Sequence, residues 1–257
     1  NGSWVNNETL LEHEAGLPGE TPAVKHPKCC ATVAHITQRY RQRGTSMIDC
    51  YTWPTPNGHK VHIMLEETGA PYTVHAINIG EGEQFKEDFL KISPNNKMPA
   101  IVDQDGPGGK PISVFETGAI LMYLGRKTGQ FLPDEASEPH EYFDVIQWLM
   151  FQMGGVGPML GQSHHFNDYA RKRAPVEAIQ YGIDRYVNEA NRLYGVFDRR
   201  LAGNEWVAAG RYTIADMAIF PWLRDPKRQG VEIDEYPNVK RWRDTIWARP
   251  QVIKALD

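Results

Sequence analysis

Apolar and polar positions change their spacing along the chain, and the changes mark out three regions. Residues 1–46 hold no sustained period of 3.6 or 2 and end in the polar, basic stretch QRYRQRGTS. They are expected to form a poorly ordered extension, the alternative being an arm that wraps a neighbouring subunit. From Met47 the pattern becomes regular. Residues 47–53 predict a short apolar strand, and Thr55-Pro56-Asn57-Gly58 a turn. Residues 59–67 predict a helix whose inner face is Val61, Ile63, Met64 and Leu65. A second strand is expected over 72–79, with its Tyr, Val, Ala and Ile facing inward. A short helical stretch at 86–92 follows, then a third strand at 98–103 entered through a proline. A glycine-rich turn at 105–109 leads to a fourth strand at 112–115, and 116–127 predicts a helix.

The order βαβαββα implies one mixed sheet covered by helices. Residues 128–139 carry glycine, two prolines and several acids, and read as a linker. Everything beyond is helical in pattern: 141–152, a long amphipathic stretch at 176–201, then 213–223, with 238–248 closing a bundle. The chain is therefore expected to be α/β plus all-α, with a sheet domain at 47–127 and an all-helical domain at 140–257.

Composition narrows the function classes. The 257 residues are 41% hydrophobic and 23% charged, ordinary for a water-soluble globular protein. The net charge of −4 comes with no long basic stripe. Nucleic acid and anionic membrane surfaces are thus not expected partners. No apolar run approaches the length of a membrane span, and the polar, acidic opening residues do not resemble a secretory signal. Cys29, Cys30 and Cys50 form no CxxC pair and no disulfide framework. A reducing cytoplasm is the expected compartment. His164 and His165 are adjacent, so a helix would point them apart, and no metal site is expected from them.

Three short segments carry candidate chemistry. Thr55-Pro56-Asn57-Gly58 joins the first strand to the first helix. Unpaired N–H groups there, together with a hydroxyl and an amide, could hold a thiolate and lower its pKa. The same residues also make an ordinary N-cap and turn. Asn95-Asn96-Lys97-Met98-Pro99-Ala100 opens a strand with proline. That calls either for an edge position or for a cis bond, which would turn the Met98 backbone outward to pair with an extended peptide. Phe115-Glu116-Thr117-Gly118 runs from strand into helix. Glu116 offers a carboxylate for an ammonium, and Thr117 a hydroxyl and a helix N-terminus for a carboxylate, the two charges of a free amino-acid head group. Helix capping accounts for Thr117 equally well. A fourth segment, Thr213-Ile214-Ala215-Asp216, is a capping box with a structural role.

These segments, in this order, resemble the glutathione transferase family, and closely its bacterial nu class. The shared stretches are PTPNGHKV, GEGEQF, ISPNNKMPAIVD, FETGAILMYL, GGVGPMLGQSHHF and YTIADMAI, spread over both domains. The resemblance implies a thioredoxin-like N-terminal domain, an all-helical C-terminal domain and a homodimer. It implies that Thr55 and Asn57 hold the glutathione sulfur as the catalytic residues. Gln84 and Lys97 would meet the glycine end, Met98 the cysteinyl backbone through cis-Pro99, and Glu116 and Thr117 the γ-glutamyl head. Arg185, in YGIDRY, matches an arginine that reaches the active site from a long helix, in its own subunit or the partner's. Without the resemblance it reads as a solvated residue. Residues 154–166 would help form the electrophile pocket, where the residues alone suggest a glycine-rich helix break.

The implied activity is glutathione-dependent disulfide reduction, on a site able to take reduced or oxidised glutathione and up to two molecules. The partner would be a small-molecule disulfide or electrophile. No protein cysteine is required, and Cys50 inside the first strand is expected to pack as a small apolar residue. A lyase or transferase acting on an ether or halide would use the same half-site. A non-catalytic glutathione-binding regulator would share the fold.

Overall fold

The computed structural model describes residues 48–257. The expected extension at 1–46, Met47, Cys29 and Cys30 lie outside the described residues. The first layer is a four-stranded sheet in the order β2-β1-β3-β4, made of β1 (Ile48–Thr52), β2 (Tyr72–Ala76), β3 (Ala100–Asp103) and β4 (Ile112–Phe115). β1 pairs parallel with β2 and antiparallel with β3, and β3 pairs antiparallel with β4. The parallel step needs a crossover, which α1 (Pro56–Thr68) supplies. Helix α2 (Glu87–Leu90) is short, and α3 (Thr117–Thr128) packs beside α1.

The alternating burial of β1 explains its role. Ile48, Cys50 and Thr52 are buried, and Cys50 sits between Val74 and Ile101 in the register. Burial pushes the Cys50 thiol up to about 12, so it is inert packing. β2 departs from expectation. Its pairing ends at Ala76 rather than 79, and Val74 is 50% exposed instead of inward. As the edge strand, β2 has a neighbour on one flank only, and its outer face lacks full cover.

The helical layer begins with α4 (Pro139–Phe151). The glycine-rich stretch after it does not break the helix. A π-helical turn at Gln152–Val156 leads straight into α5 (Gly157–His164), and a second π turn follows at His165–Tyr169. α6 (Val176–Leu201) spans the range its period predicts, burying Ile183, Leu193 and Phe197, with Ala190 and Tyr194 added. α7 (Ile214–Leu223) is buried on nearly every side. Its start is the expected capping box, and Asp216 also accepts from the Val207 N–H (3.0 Å) and the Trp242 indole (2.9 Å). α8 (Pro237–Trp247) does not close the bundle. A further helix, α9 (Pro250–Leu256), packs against α1 and ties the C-terminus to the sheet layer. Arg249 seals that contact with a two-pronged ion pair to Glu67 at 2.6 and 2.9 Å. One continuous core runs from Ile48 to Ala255 through both layers.

Candidate active site

Register brings the candidate segments together. Ala100 lies opposite Tyr51 on one side and Phe115 on the other. The residues after β1, those before β3 and those after β4 therefore gather at one end of the sheet. That end faces α5 and α7, and a cavity of about 800 Å³ lies between. This is near the upper end of the roughly 300–1,000 Å³ range of small-molecule pockets.

The first wall is the start of α1. Thr55 caps it in extended conformation, its hydroxyl accepting from the Gly58 N–H at 3.2 Å, and Pro56 opens the helix. Gly58 is required by space: a Cβ there would lie 2.2 Å from the Trp53 carbonyl oxygen. Thr55 does not line the cavity itself; its hydroxyl donates toward Met98 Sδ at 3.9 Å, and Met98 does line it. Asn57 lines the cavity, and its Oδ1 accepts from the Trp222 indole at 3.0 Å. An indole N–H only donates, so it fixes the amide with oxygen toward Trp222 and leaves the NH₂ to serve the cavity.

The second wall is the Met98–Pro99 segment. The bond is cis, as one reading of the sequence expects. Ser93 holds the approach by donating to the Lys97 carbonyl at 2.7 Å, and the Lys97 side chain is exposed at the rim. Gln84 joins this side from a short turn, its buried Oε1 without a hydrogen-bond partner.

The third wall is the entry to α3. Glu116 stands at φ 69°, ψ 118°, a left-handed backbone that a non-glycine residue adopts at a cost. Its side chain is exposed on the cavity, while its carbonyl accepts the first helical bond from Ile120 at 2.9 Å. Thr117 is buried beside it and donates to Met153 Sδ at 3.2 Å. The N-terminal ends of α1 and α3 both meet the cavity, and their dipoles favour negative charge there.

Four further residues, Lys60, Gln152, Met153 and Trp222, belong to this site and were not singled out from sequence. Lys60 is 1% exposed and donates to Gln152 Oε1 at 2.7 Å and Thr117 Oγ1 at 3.2 Å. Burial lowers its pKa from 10.5 to about 7, with the Glu116 charge opposing. Gln152, fully buried, and Met153 come from the first π turn, and Trp222 from α7. His165 lines the cavity from the second π turn, whereas His164 is buried against Tyr169. The segment expected to shape the electrophile pocket thus does line the wall, through Gly157, Gly161 and Gln162.

Arg185 does not line the wall. It flanks the buried stripe of α6, is exposed, and lies over the Tyr186 ring, itself stacked on Phe166.

A four-stranded thioredoxin-like sheet, a helical layer and a polar cavity at their junction define a glutathione transferase architecture. The family models agree: residues 46–126 match the glutathione S-transferase N-terminal domain, and residues 180–250 the C-terminal domain. The chain belongs to the glutathione S-transferase family. It is 47% identical over 211 residues to the disulfide-bond oxidoreductase YfcG of Escherichia coli, covering 82% of this chain and 94% of that protein. A glutathione transferase family member from Pseudomonas fluorescens, solved with two glutathione bound, is 46% identical with a TM-score of 0.76, over 86% of this chain and 97% of that one. A glutathione transferase from Pseudomonas putida, solved with one glutathione disulfide per subunit, is 43% identical with a TM-score of 0.77, over 86% and 96%.

Proposed function

We propose that this chain is an enzyme that reduces small-molecule disulfides with glutathione and uses no protein cysteine. The observation that carries this reading is the state of the two site hydroxyls. Thr55 and Thr117 both direct their protons at methionine sulfur, a weak acceptor. Each hydroxyl is thereby held in place and loses little when a thiolate or carboxylate replaces the thioether. The unpaired Gln84 Oε1 on the second wall adds an acceptor that a peptide N–H would satisfy.

Glutathione would supply the sulfur chemistry: its thiolate attacks one sulfur of the substrate disulfide and expels the other as a thiolate, and a second glutathione frees the remaining half, giving two thiols and oxidised glutathione. The chain's part is binding and charge stabilisation. The Thr55 hydroxyl, the Asn57 NH₂ and the start of α1 would donate to the thiolate and keep it ionised near neutral pH. Met98 would pair with the cysteinyl backbone beside cis-Pro99, and Gln84 and Lys97 would meet the glycine end. Glu116 would take the ammonium and Thr117 the carboxylate of the γ-glutamyl head. We assign Arg185 no contact with the ligand of its own chain. The inert Cys50 thiol fits a reaction without a protein nucleophile. The oxidised glutathione in the P. putida relative favours disulfide chemistry over ether or halide cleavage.

The reading extends to organisation. The two domains meet within 128–139, with 47–127 binding glutathione and 140–257 forming the helical domain. Phe143 (59% exposed) and Met150 (47%) lie two turns apart on one face of α4, which supports a homodimer. A reaction consuming reduced glutathione belongs in the reducing cytoplasm. Among the described residues no helix is long and apolar enough to cross a membrane.

The test is glutathione-dependent reduction of hydroxyethyl disulfide. Asn57→Ala removes a donor to a charged sulfur, worth about 1.5–3 kcal/mol, so kcat/KM should fall about 10- to 100-fold. Cys50→Ala should stay within about twofold of wild type, because a buried thiol of this kind takes no part. Loss of activity in Cys50→Ala, or full activity in Asn57→Ala, would overturn the reading.

A further inference from the structure

In the cavity wall lies a cation that the proposed sulfur chemistry does not use. Lys60 projects from the second turn of α1 toward the helical layer and is 1% exposed. Among the described residues no carboxylate lies within ion-pair distance of it. Its ammonium is held instead by neutral groups: Gln152 Oε1 at 2.7 Å, Thr117 Oγ1 at 3.2 Å and Met153 Sδ at 3.9 Å. A buried charge without a counter-charge is costly to the fold. The direction in which it is open is informative. Lys60, Thr117, Gln152 and Met153 all line the cavity, so an anion arriving at Thr117 would come close to that charge.

The hydrogen-bond roles sharpen the point. An ammonium can only donate, so the Thr117 hydroxyl must accept from Lys60. Its single proton is then committed to the cavity side, where Met153 Sδ receives it. Gln152 also fixes the ammonium, and is itself fully buried.

We propose that Lys60 is a positioning residue for a carboxylate-bearing ligand: it locks the Thr117 hydroxyl as a donor and provides the buried positive charge that the γ-glutamyl carboxylate of glutathione neutralises. This rests on the reading of the cavity as a glutathione site. Lys60 acts through Thr117 and takes no part in the sulfur chemistry.

The coupling makes carboxylate binding take up a proton. With its pKa lowered to about 7 by burial, Lys60 is charged at pH 6 and mostly neutral at pH 8 in the free protein. An anion beside it raises that pKa, so binding at pH 8 recovers the proton, and affinity declines as pH rises above 7. Other charged or titratable groups here are Glu116, whose field already opposes the lowering, and Lys97 and His165 on the same cavity. On its own helix, His59 faces Arg224 rather than the cavity. Gln152 and Met153, on the element packed against Lys60, are uncharged.

The test uses S-methylglutathione, which has no titrating thiol, and the same tripeptide lacking the α-carboxylate of its γ-glutamyl residue. Calorimetry on wild type and Lys60→Met at pH 6 should show S-methylglutathione weakened about tenfold or more in the variant, the value of a charged hydrogen bond. The decarboxylated analogue should bind the two proteins equally. At pH 9.5, where wild-type Lys60 has lost its proton, the difference between the proteins should shrink to about twofold. Equal weakening of both ligands, or none, overturns the proposal. Wild type alone gives a second readout. At pH 8, titration in buffers of different ionisation enthalpy should show proton uptake for S-methylglutathione beyond that for the analogue, and equal uptake overturns the proposal even where the variant fails to fold. If neither ligand binds wild type, the glutathione reading itself falls, an outcome distinct from intact binding without coupling to Lys60.

Discussion

Replacing Lys60 with methionine measures what the buried ammonium costs the free protein. The unfolded chain keeps an ordinary lysine near pKa 10.5, while burial lowers the folded value to about 7. Between these two values the unfolded state binds the extra proton, so stability rises with pH across that window. Below pH 7 both states are protonated and the folded state carries the whole penalty. Above 10.5 both are neutral and the penalty is gone. The gap corresponds to about 5 kcal/mol. Methionine has nearly the same length without the charge, so it removes that penalty. It also leaves Gln152 Oε1 without its donor, a loss of about 1–3 kcal/mol. The expected net is a variant more stable than wild type by about 2–4 kcal/mol at pH 6. The advantage should decay as pH rises and reverse between about pH 8 and pH 10, where the remaining penalty equals the lost hydrogen bond. Urea unfolding followed by tryptophan fluorescence at pH 6, 8 and 10 reads this directly, with an unchanged m-value marking an unchanged fold. A variant less stable at pH 6, or a difference that ignores pH, would refute the reasoning. Together with weaker carboxylate binding, the expected gain makes Lys60 a residue held for ligand recognition at the expense of the fold.

Two other substitutions probe the walls. Gly58→Ala would set a Cβ 2.2 Å from the Trp53 carbonyl oxygen and 2.7 Å from Thr52 Oγ1. The carbonyl is backbone and cannot yield, so unfolding free energy should fall by about 1–3 kcal/mol, and a melting temperature equal to wild type would contradict the close approach. Trp222→Phe removes the donor that holds the Asn57 amide. Releasing the amide should lower kcat/KM for hydroxyethyl disulfide about 2- to 12-fold, the kinetic equivalent of one ordinary hydrogen bond. Steady-state kinetics matching wild type would mean that Asn57 needs no such anchor.

How much of this was legible in the sequence depends on how local each signal is. The chain order βαβαββα of the sheet domain and the limits of α6 follow from short-range period, and both appear as expected. Thr55, Met98, Glu116 and Thr117 could be found because each sits where a strand meets a turn or helix, and such junctions carry distinctive residue types. Lys60 could not, since a lysine in an amphipathic helix reads as a solvated side chain until its neighbours are known. Gln152 lies 92 positions from it and Trp222 lies 165 from Asn57, and no local pattern encodes either contact. The misreading of β2 has a related cause: alternation gives two faces but does not say that the strand lies at an edge. α9 was lost because Pro250, which opens it, looks like the punctuation that ends α8. Arg185, expected from similarity to reach the site of its own subunit or the partner's, is exposed and lies off the cavity wall of its own chain.

The glycine-rich stretch failed to read as helix for a reason that reaches beyond this chain. A π turn closes its hydrogen bond one residue later than an α turn, so it holds an extra residue without displacing what lies on either side. The turns at Gln152–Val156 and His165–Tyr169 therefore shift the sequence spacing of the cavity-facing positions while the helix keeps its course. Each is a place where the polypeptide can lengthen or shorten by one residue and still present the same wall. Descendants of one ancestral gene could thus differ by an insertion in the lining of the pocket itself, where an alignment would suggest a rebuilt site and the geometry would have changed only in which side chain the added residue brings.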